Sequence, residues 1–204
     1  MKNKILVAAL AVAGLISVNV AQAAEEGSFL VRARAVNISF DNGQADNLQA
    51  TALVEAKDRW IPEVDLSYFI TKNIAAELVL TYPQTVDIKV NGVERGKIKA
   101  LPPSLLVQYH FTELGAFKPY VGAGLNYTIF TSRNNILSGA ASVDSSSFGL
   151  VGQLGFDYAL TKNWLLNLDV KYIQMDTDVK VGGNKVGKLE LNPVTAGVGV
   201  GYRF

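Results

Sequence analysis

The sequence predicts an all-β protein: an eight-stranded antiparallel transmembrane β-barrel carried behind an export signal. Three observations predict it. Eight segments after residue 27 alternate apolar and polar side chains with a period of two. The apolar phase carries no charge, while the other phase holds Arg32, Arg34, Lys171 and Arg203 against Glu63, Asp65, Glu77, Asp157 and Asp169. Aromatic residues collect at both ends of the apolar phase with Leu, Val and Ala between them, the pattern of a lipid-facing wall with two interfacial belts.

The alternating segments run in chain order. In the first, Phe29, Val31, Ala33 and Ala35 alternate with Arg32 and Arg34. The second sets Val64, Leu66 and Tyr68 against Glu63, Asp65 and Ser67, and the third sets Ala76, Leu78, Leu80 and Tyr82 against Glu77, Val79 and Thr81. Leu105, Val107, Tyr109 and Phe111 define the fourth, and Val121, Ala123, Leu125, Tyr127 and Ile129 the fifth. Phe148, Leu150, Leu154, Phe156 and Tyr158 define the sixth, and Trp164, Leu166, Leu168, Val170 and Tyr172 the seventh. The eighth runs Val194, Ala196, Val198, Val200, Tyr202, Phe204. With successive strands reversed, Phe29, Tyr68, Tyr109, Phe111, Tyr158, Trp164, Tyr202 and Phe204 fall at one end. Trp60, Tyr82, Tyr127, Phe148 and Tyr172 fall at the other. A soluble sandwich would alternate too, with apolar side chains inside, but it has no reason to sort its aromatics to both ends.

Connection lengths agree with this orientation. The lower turns are short (Thr71-Lys72-Asn73, Thr112–Phe117, Thr161-Lys162-Asn163), whereas four external loops near 40–59, 84–97, 131–146 and 175–188 are longer and polar. That asymmetry places both termini in the periplasm. The two Thr-Lys-Asn turns read as shared turn chemistry.

Composition excludes other classes. The chain has 204 residues, enough for one domain or two small ones. With no cysteine and one histidine, His110, disulfide-stapled and thiolate- or His-rich metal folds are excluded, and no metal or cofactor is expected. Lys+Arg is 19 against 18 Asp+Glu, which leaves no basic excess to hold nucleic acid. Apolar residues make up 49% and the mean hydropathy is +0.20, high for a soluble domain. Yet no stretch after residue 23 has the ~18 consecutive apolar residues of a membrane helix.

Residues 1–23 read as a cleaved signal peptide. Lys2 and Lys4 are its positive region, Ile5–Val18 its apolar region, and Ala21-Gln22-Ala23 its small-x-small cleavage site. The barrel then spans 24–204. At the other end, Tyr202 and Phe204 close an alternating strand on a terminal phenylalanine, which resembles the signal read by the bacterial outer-membrane assembly machinery.

Several stretches resemble the outer-membrane protein W (OmpW) family: Leu101-Pro-Pro-Ser-Leu105, Lys118-Pro-Tyr-Val-Gly-Ala-Gly-Leu-Asn-Tyr127, Gly152-Gln-Leu-Gly-Phe-Asp-Tyr158, Asn163-Trp-Leu-Leu-Asn-Leu168 and Gly201-Tyr-Arg-Phe204. Weaker likeness covers Asp65–Leu78 and Met175-Asp-Thr177. The resemblance implies an eight-stranded barrel of the Gram-negative outer membrane that helps small hydrophobic compounds cross. It also implies lateral diffusion through the barrel wall. Some relatives carry an aromatic or aliphatic constriction, and the matching positions here are Val79 and Lys171. Lysine departs from that pattern. It is placed to pair with Glu77 or Asp169, and its aliphatic stem can still line a greasy path. Glu77, Val79 and Lys171 are therefore the candidate channel-lining residues.

Eight strands leave an interior that side chains nearly fill, so Arg32, Glu63, Asp65, Asp157, Asp169 and Arg203 read as an ion-paired plug in the lumen. Pro62, Pro83, Pro102 and Pro103 fall near the upper ends of strands 2–4, which are neighbours. Proline lacks the ladder donor, so this cluster is the candidate lateral opening. The expected partners are outer-membrane lipid, small hydrophobic solutes and the assembly machinery, with the barrel a monomer. An enzyme is not expected: His110 lies near the periplasmic end, and no Ser-His-Asp arrangement accompanies it. The competing reading is a non-transporting adhesin or membrane-stabilising barrel.

Overall fold

The computed structural model describes residues 28–41, 43–45, 54–90, 93–132 and 140–204. The expected signal peptide lies outside the described residues. In chain order the β-segments are β1 (Phe29–Ser39), β2 (Gly43–Ala45), β3 (Val54–Ala56), β4 (Arg59–Phe69), β5 (Ile74–Thr81), β6 (Gln84–Val90), β7 (Val93–Leu101), β8 (Ser104–His110), β9 (Phe117–Thr131), β10 (Ala141–Val143), β11 (Ser146–Ala159), β12 (Trp164–Ile173), β13 (Asp176–Val181), β14 (Asn184–Glu190) and β15 (Val194–Arg203).

Eight of them close a ring: β1–β4–β5–β8–β9–β11–β12–β15 and back to β1, antiparallel throughout. Closure leaves the ring no free edge, so backbone donors and acceptors along its ladders pair strand to strand without water. Alternation sets the faces. Leu105, Leu125, Leu150, Leu154, Leu168 and Val198 are exposed on the outside, while Arg32, Asp65, Glu77, Gln108, Asn167 and Asp169 are buried inside. Both belts stand on the outer wall. Phe29 packs on Tyr68 (centroids 5.0 Å apart) and Trp164 on Tyr202 (5.1 Å) at the lower end, and Trp60 and Tyr82 are exposed at the upper end.

The two Thr-Lys-Asn turns are built alike. The hydroxyl of Thr71 accepts from the backbone N–H of Asn73 and Ile74, and that of Thr161 from Asn163 and Trp164. Each asparagine amide then reaches the end of a neighbouring strand, Asn73 donating to the His110 carbonyl (2.8 Å) and Asn163 to the Arg203 carbonyl (2.7 Å). The echo in the sequence is thus a repeated clasp on strand ends.

The expected external loops carry more structure than their polarity suggested. Strands continue above the ring as two sheets. One joins β3, β6 and β7 to the top of β9; the other runs β10–β13–β14–β2. Gly182 and Gly183, at φ +58° and +85°, make the two-residue turn between β13 and β14. Polarity inverts where strands leave the ring. Within it apolar side chains point out, but above it Val86, Ile88, Ile98, Phe130, Val143, Val179 and Leu189 point in and form one buried cluster. Lys97, Asp87 and Lys188 stay on the outside in ion pairs. The change is the expected response to solvent: lipid surrounds the ring and water surrounds the extension.

Candidate functional site

The lumen is layered. At the periplasmic end Leu30, Phe69, Ala75 and Leu165 form an apolar seal. Above it lies a buried ionic network. Arg32 is fully buried and forks onto Asp157, with Nε donating to Oδ1 at 3.0 Å and Nη2 to Oδ2 at 2.7 Å; its Nη1 donates to Asp65 at 2.8 Å and to Ser67 at 3.0 Å. Arg34 lies one inward position higher. It meets Glu63 at 3.0 Å, Asp169 at 3.3 Å and Glu77 at 3.4 Å, and also contacts Asp65. Lys171 bridges Glu63 (2.8 Å) and Asp169. Neutral groups take up remaining lone pairs: the Tyr120 hydroxyl and the Gln153 amide donate to Asp169, and the Asn167 amide donates to Asp157. Desolvating so many charges is tolerable only because each meets an opposite charge or a hydrogen bond.

Above the network the inner wall is mostly apolar, with Ser104, Asn126, Thr128 and Thr195 as buried polar exceptions. Val36, Ile38 and Ile61 form one cluster, while Val79, Leu106, Val151 and Ile173 join the larger cluster of the extension. Between Ile38, Phe40, Phe130, Ile173, Met175 and Leu191 a cavity of about 30 Å³ remains. This chamber is nearly filled by its own side chains, so a guest must displace them. The two extension sheets meet along seams at which the Asp58 carboxylate accepts from the Ser39 hydroxyl and the Phe40 N–H, and the Phe130 N–H donates to Ser145.

The wall is interrupted beside the chamber between β4, β5 and β8. The β4–β5 ladder ends at Glu63↔Thr81 and β3–β6 pairing is found only at Ala56↔Ile88 and beyond. On the other side, the β5–β8 ladder ends at Val79↔Ser104 and β6–β7 begins at Gln84↔Ala100. Tyr82 and Pro83 therefore stand without ladder partners on either side, with Pro62 across one gap and Pro102–Pro103 across the other. Chamber and interruption meet at Arg59, Gln84 and Pro102, which line the cavity.

The structure brings the four prolines to this single gap. It brings Arg32, Glu63, Asp65, Asp157 and Asp169 into one network, but sets Arg203 lower, its guanidinium 4.3 Å over the Phe69 ring. Glu77 and Lys171 sit inside the network, and Val79 alone of the three channel-lining candidates faces the chamber. Arg34, Tyr120, Asn167 and Gln153 complete the network beyond the residues expected of the plug; all four share the inward phase of their strands, which for Arg34 is visible in the alternation itself. His110 is stacked between Phe69 and Tyr120, each 4.9 Å away, with Gln108 Oε1 3.0 Å from its Nε2. Phe204 donates its N–H to Phe29 at 2.9 Å and stacks on Tyr202 (4.8 Å), closing β15 against β1.

A closed eight-stranded ring with a lipid-facing wall and a polar lumen defines an outer-membrane β-barrel. The family model for the OmpW family matches residues 25–204, and the chain belongs to that family. An outer-membrane protein of Sinorhizobium fredii, y4mB, is 41% identical, covering 85% of this chain and 79% of its own. Outer membrane protein W of Escherichia coli K12 is 33% identical, covering 99% of this chain and all of its own. Among solved structures, OprG of Pseudomonas aeruginosa superposes with a TM-score of 0.77 at 28% identity, over 88% of this chain and 96% of that one. The location is the outer membrane of a Gram-negative cell.

Proposed function

We propose that the barrel carries small hydrophobic compounds across the outer-membrane surface and releases them sideways into the membrane. One observation carries this reading: a largely apolar chamber, floored by buried ion pairs, adjoins the interruption in the wall ladders at Tyr82–Pro83. A hydrophobic molecule gains by leaving water for the chamber, at ~25 cal/mol per Å² buried. Passing on through the network would mean breaking desolvated ion pairs. Leaving past Tyr82–Pro83 breaks no ladder bond. Because the chamber is packed, a guest is admitted only as the extension sheets part along their seams.

The test is initial uptake of a long-chain hydrocarbon by cells matched for barrel level. Val79→Trp is expected to slow uptake by filling the chamber floor, and the double variant P102A/P103A to slow it by returning backbone donors to the gap. Asp157→Asn should act on folding and leave flux per folded barrel unchanged. Normal uptake in the first two, with altered flux in the third, would mean passage straight through. Equal uptake with and without the protein would leave the non-transporting barrel.

The same reading extends to biogenesis, with the terminal Tyr202–Phe204 pair addressing the assembly machinery. A chain ending at Arg203 loses one end-of-sheet hydrogen bond, worth ~1 kcal/mol. It should therefore stay stable once refolded but accumulate poorly in the outer membrane. Fractionation and heat-modifiability on gels measure both; normal outer-membrane levels would remove the terminal signal.

A further inference from the structure

The two extension sheets treat their outer charges differently. On the β13–β14 sheet each lysine has a carboxylate: Lys180 with Asp144, Lys185 with Asp178 and Lys188 with Asp176. On the β6–β7 hairpin, Lys97 is held by both Asp87 and Glu94, and Arg59 shares Asp87. Lys99 and Arg95 are exposed there and pair with no carboxylate among the described residues. The register places Lys99 directly opposite Thr85 on β6 and Thr131 on β9. An ammonium thus stands between two threonines at one level of the sheet, with no carboxylate among the described residues to neutralise it.

The level of this row is informative. On β9 the outward residues below Thr131 are Ile129 and then Tyr127 of the upper belt, and Leu101 pairs with Ile129 just beneath Lys99. Four residues at ~3.3 Å rise, tilted about 40°, put the row roughly 10 Å above the belt. That height exceeds a phospholipid headgroup and matches the sugars of a taller one. Three donors side by side, one of them charged, suit a phosphate oxygen cluster.

We propose that the outward row Thr85–Lys99–Thr131 docks the phosphorylated sugar headgroup of an outer-leaflet glycolipid. The uncompensated charge and its height above the belt carry the assignment. It is independent of whether solutes leave through the neighbouring gap. Docking there would set a lipid beside Pro102–Pro103.

The test is native mass spectrometry of the mature barrel released from phosphatidylcholine nanodiscs doped with a bisphosphorylated diglucosamine lipid. Parallel discs hold the dephosphorylated lipid or phosphatidylglycerol. The wild-type chain should retain the phosphorylated glycolipid over both comparators. Lys99→Gln should lower retention roughly fivefold to tenfold, and Thr131→Val by a smaller factor, while Lys99→Arg restores it and Lys188→Gln leaves it unchanged. Millimolar inorganic phosphate should not displace the lipid. Retention that survives Lys99→Gln overturns the proposal, as does equal retention of phosphatidylglycerol or an equal loss in Lys188→Gln, either of which means general attraction to anionic lipid. All variants are on the exposed face, and heat-modifiability confirms that each is folded.

Discussion

Replacing Arg32 by alanine is expected to cost about 3–5 kcal/mol of barrel stability, the usual result of removing one partner from a buried ion pair. The side chain is fully buried and is the bidentate partner of Asp157 as well as a partner of Asp65. Its loss strands two carboxylates among three others, with Arg34 and Lys171 left to face them all. Arg32→Lys should recover only part of the loss, because an ammonium cannot fork onto Asp157 while reaching Asp65. Arg32→Ala combined with Asp157→Asn should be less harmful than the sum of the two, since the stranded charge goes with its partner. By contrast, Arg59→Ala, which breaks a half-buried pair with Asp87 at 3.3 Å, should cost no more than ~1 kcal/mol. Reversible urea unfolding of the mature chain in lipid vesicles, followed by the fluorescence of Trp60 and Trp164, measures all five, the single Asp157→Asn variant included. A loss below that of Arg59→Ala would mean that water, not Arg32, solvates these carboxylates.

What the sequence disclosed and what it hid have physical reasons. The ring was legible because lipid on one side and a polar lumen on the other impose a period of two that needs no knowledge of partners, so the outward faces of Leu105, Leu125 and Leu168 could be read directly. The short turns were legible because Thr-Lys-Asn states its own hydrogen bonds. The extension was not. Val86, Ile88, Ile98 and Ala100 alternate with polar residues as strictly as the wall strands do, but in the opposite sense, and only burial reveals that water has replaced lipid outside. Pairing in the plug was hidden for another reason. Arg32 and Asp157 lie 125 residues apart, and Lys171 and Glu63 lie 108 apart. Their meeting is decided by strand stagger around the ring, which the spacing of charges along the chain does not encode. So Lys171, placed on a channel wall by family likeness, belongs to the network. The prolines fared differently. Each announces a missing donor, although only the register shows that Pro62 and Pro102–Pro103 flank the same two residues of β5–β6.

Leu168→Arg is expected to destabilise the barrel by ~2–4 kcal/mol, the cost of arginine on a lipid face near the bilayer midplane. Leu168 lies mid-strand on β12, 45% exposed, with Phe156 on one neighbouring strand and Val198 on the other. Nothing polar on that face can receive a guanidinium, so the charge must snorkel to an interface or thin the bilayer. Moved along the same face, the substitution should cost less at Leu166 and at Val170, falling toward ~0–1 kcal/mol as the side chain nears either belt. Asn167→Arg, one residue away, points into the lumen and escapes the lipid cost, but it meets Arg34, 3.3 Å from the Asn167 amide oxygen. Its penalty comes from like charge in the network. Changing the surroundings separates the two. Transfer from vesicles to detergent micelles, where water reaches the outer wall more readily, should relieve Leu168→Arg and leave Asn167→Arg as costly as before. A flat profile over Leu166, Leu168 and Val170, or equal relief of both variants in micelles, would show that the outward phase of β12 does not face lipid.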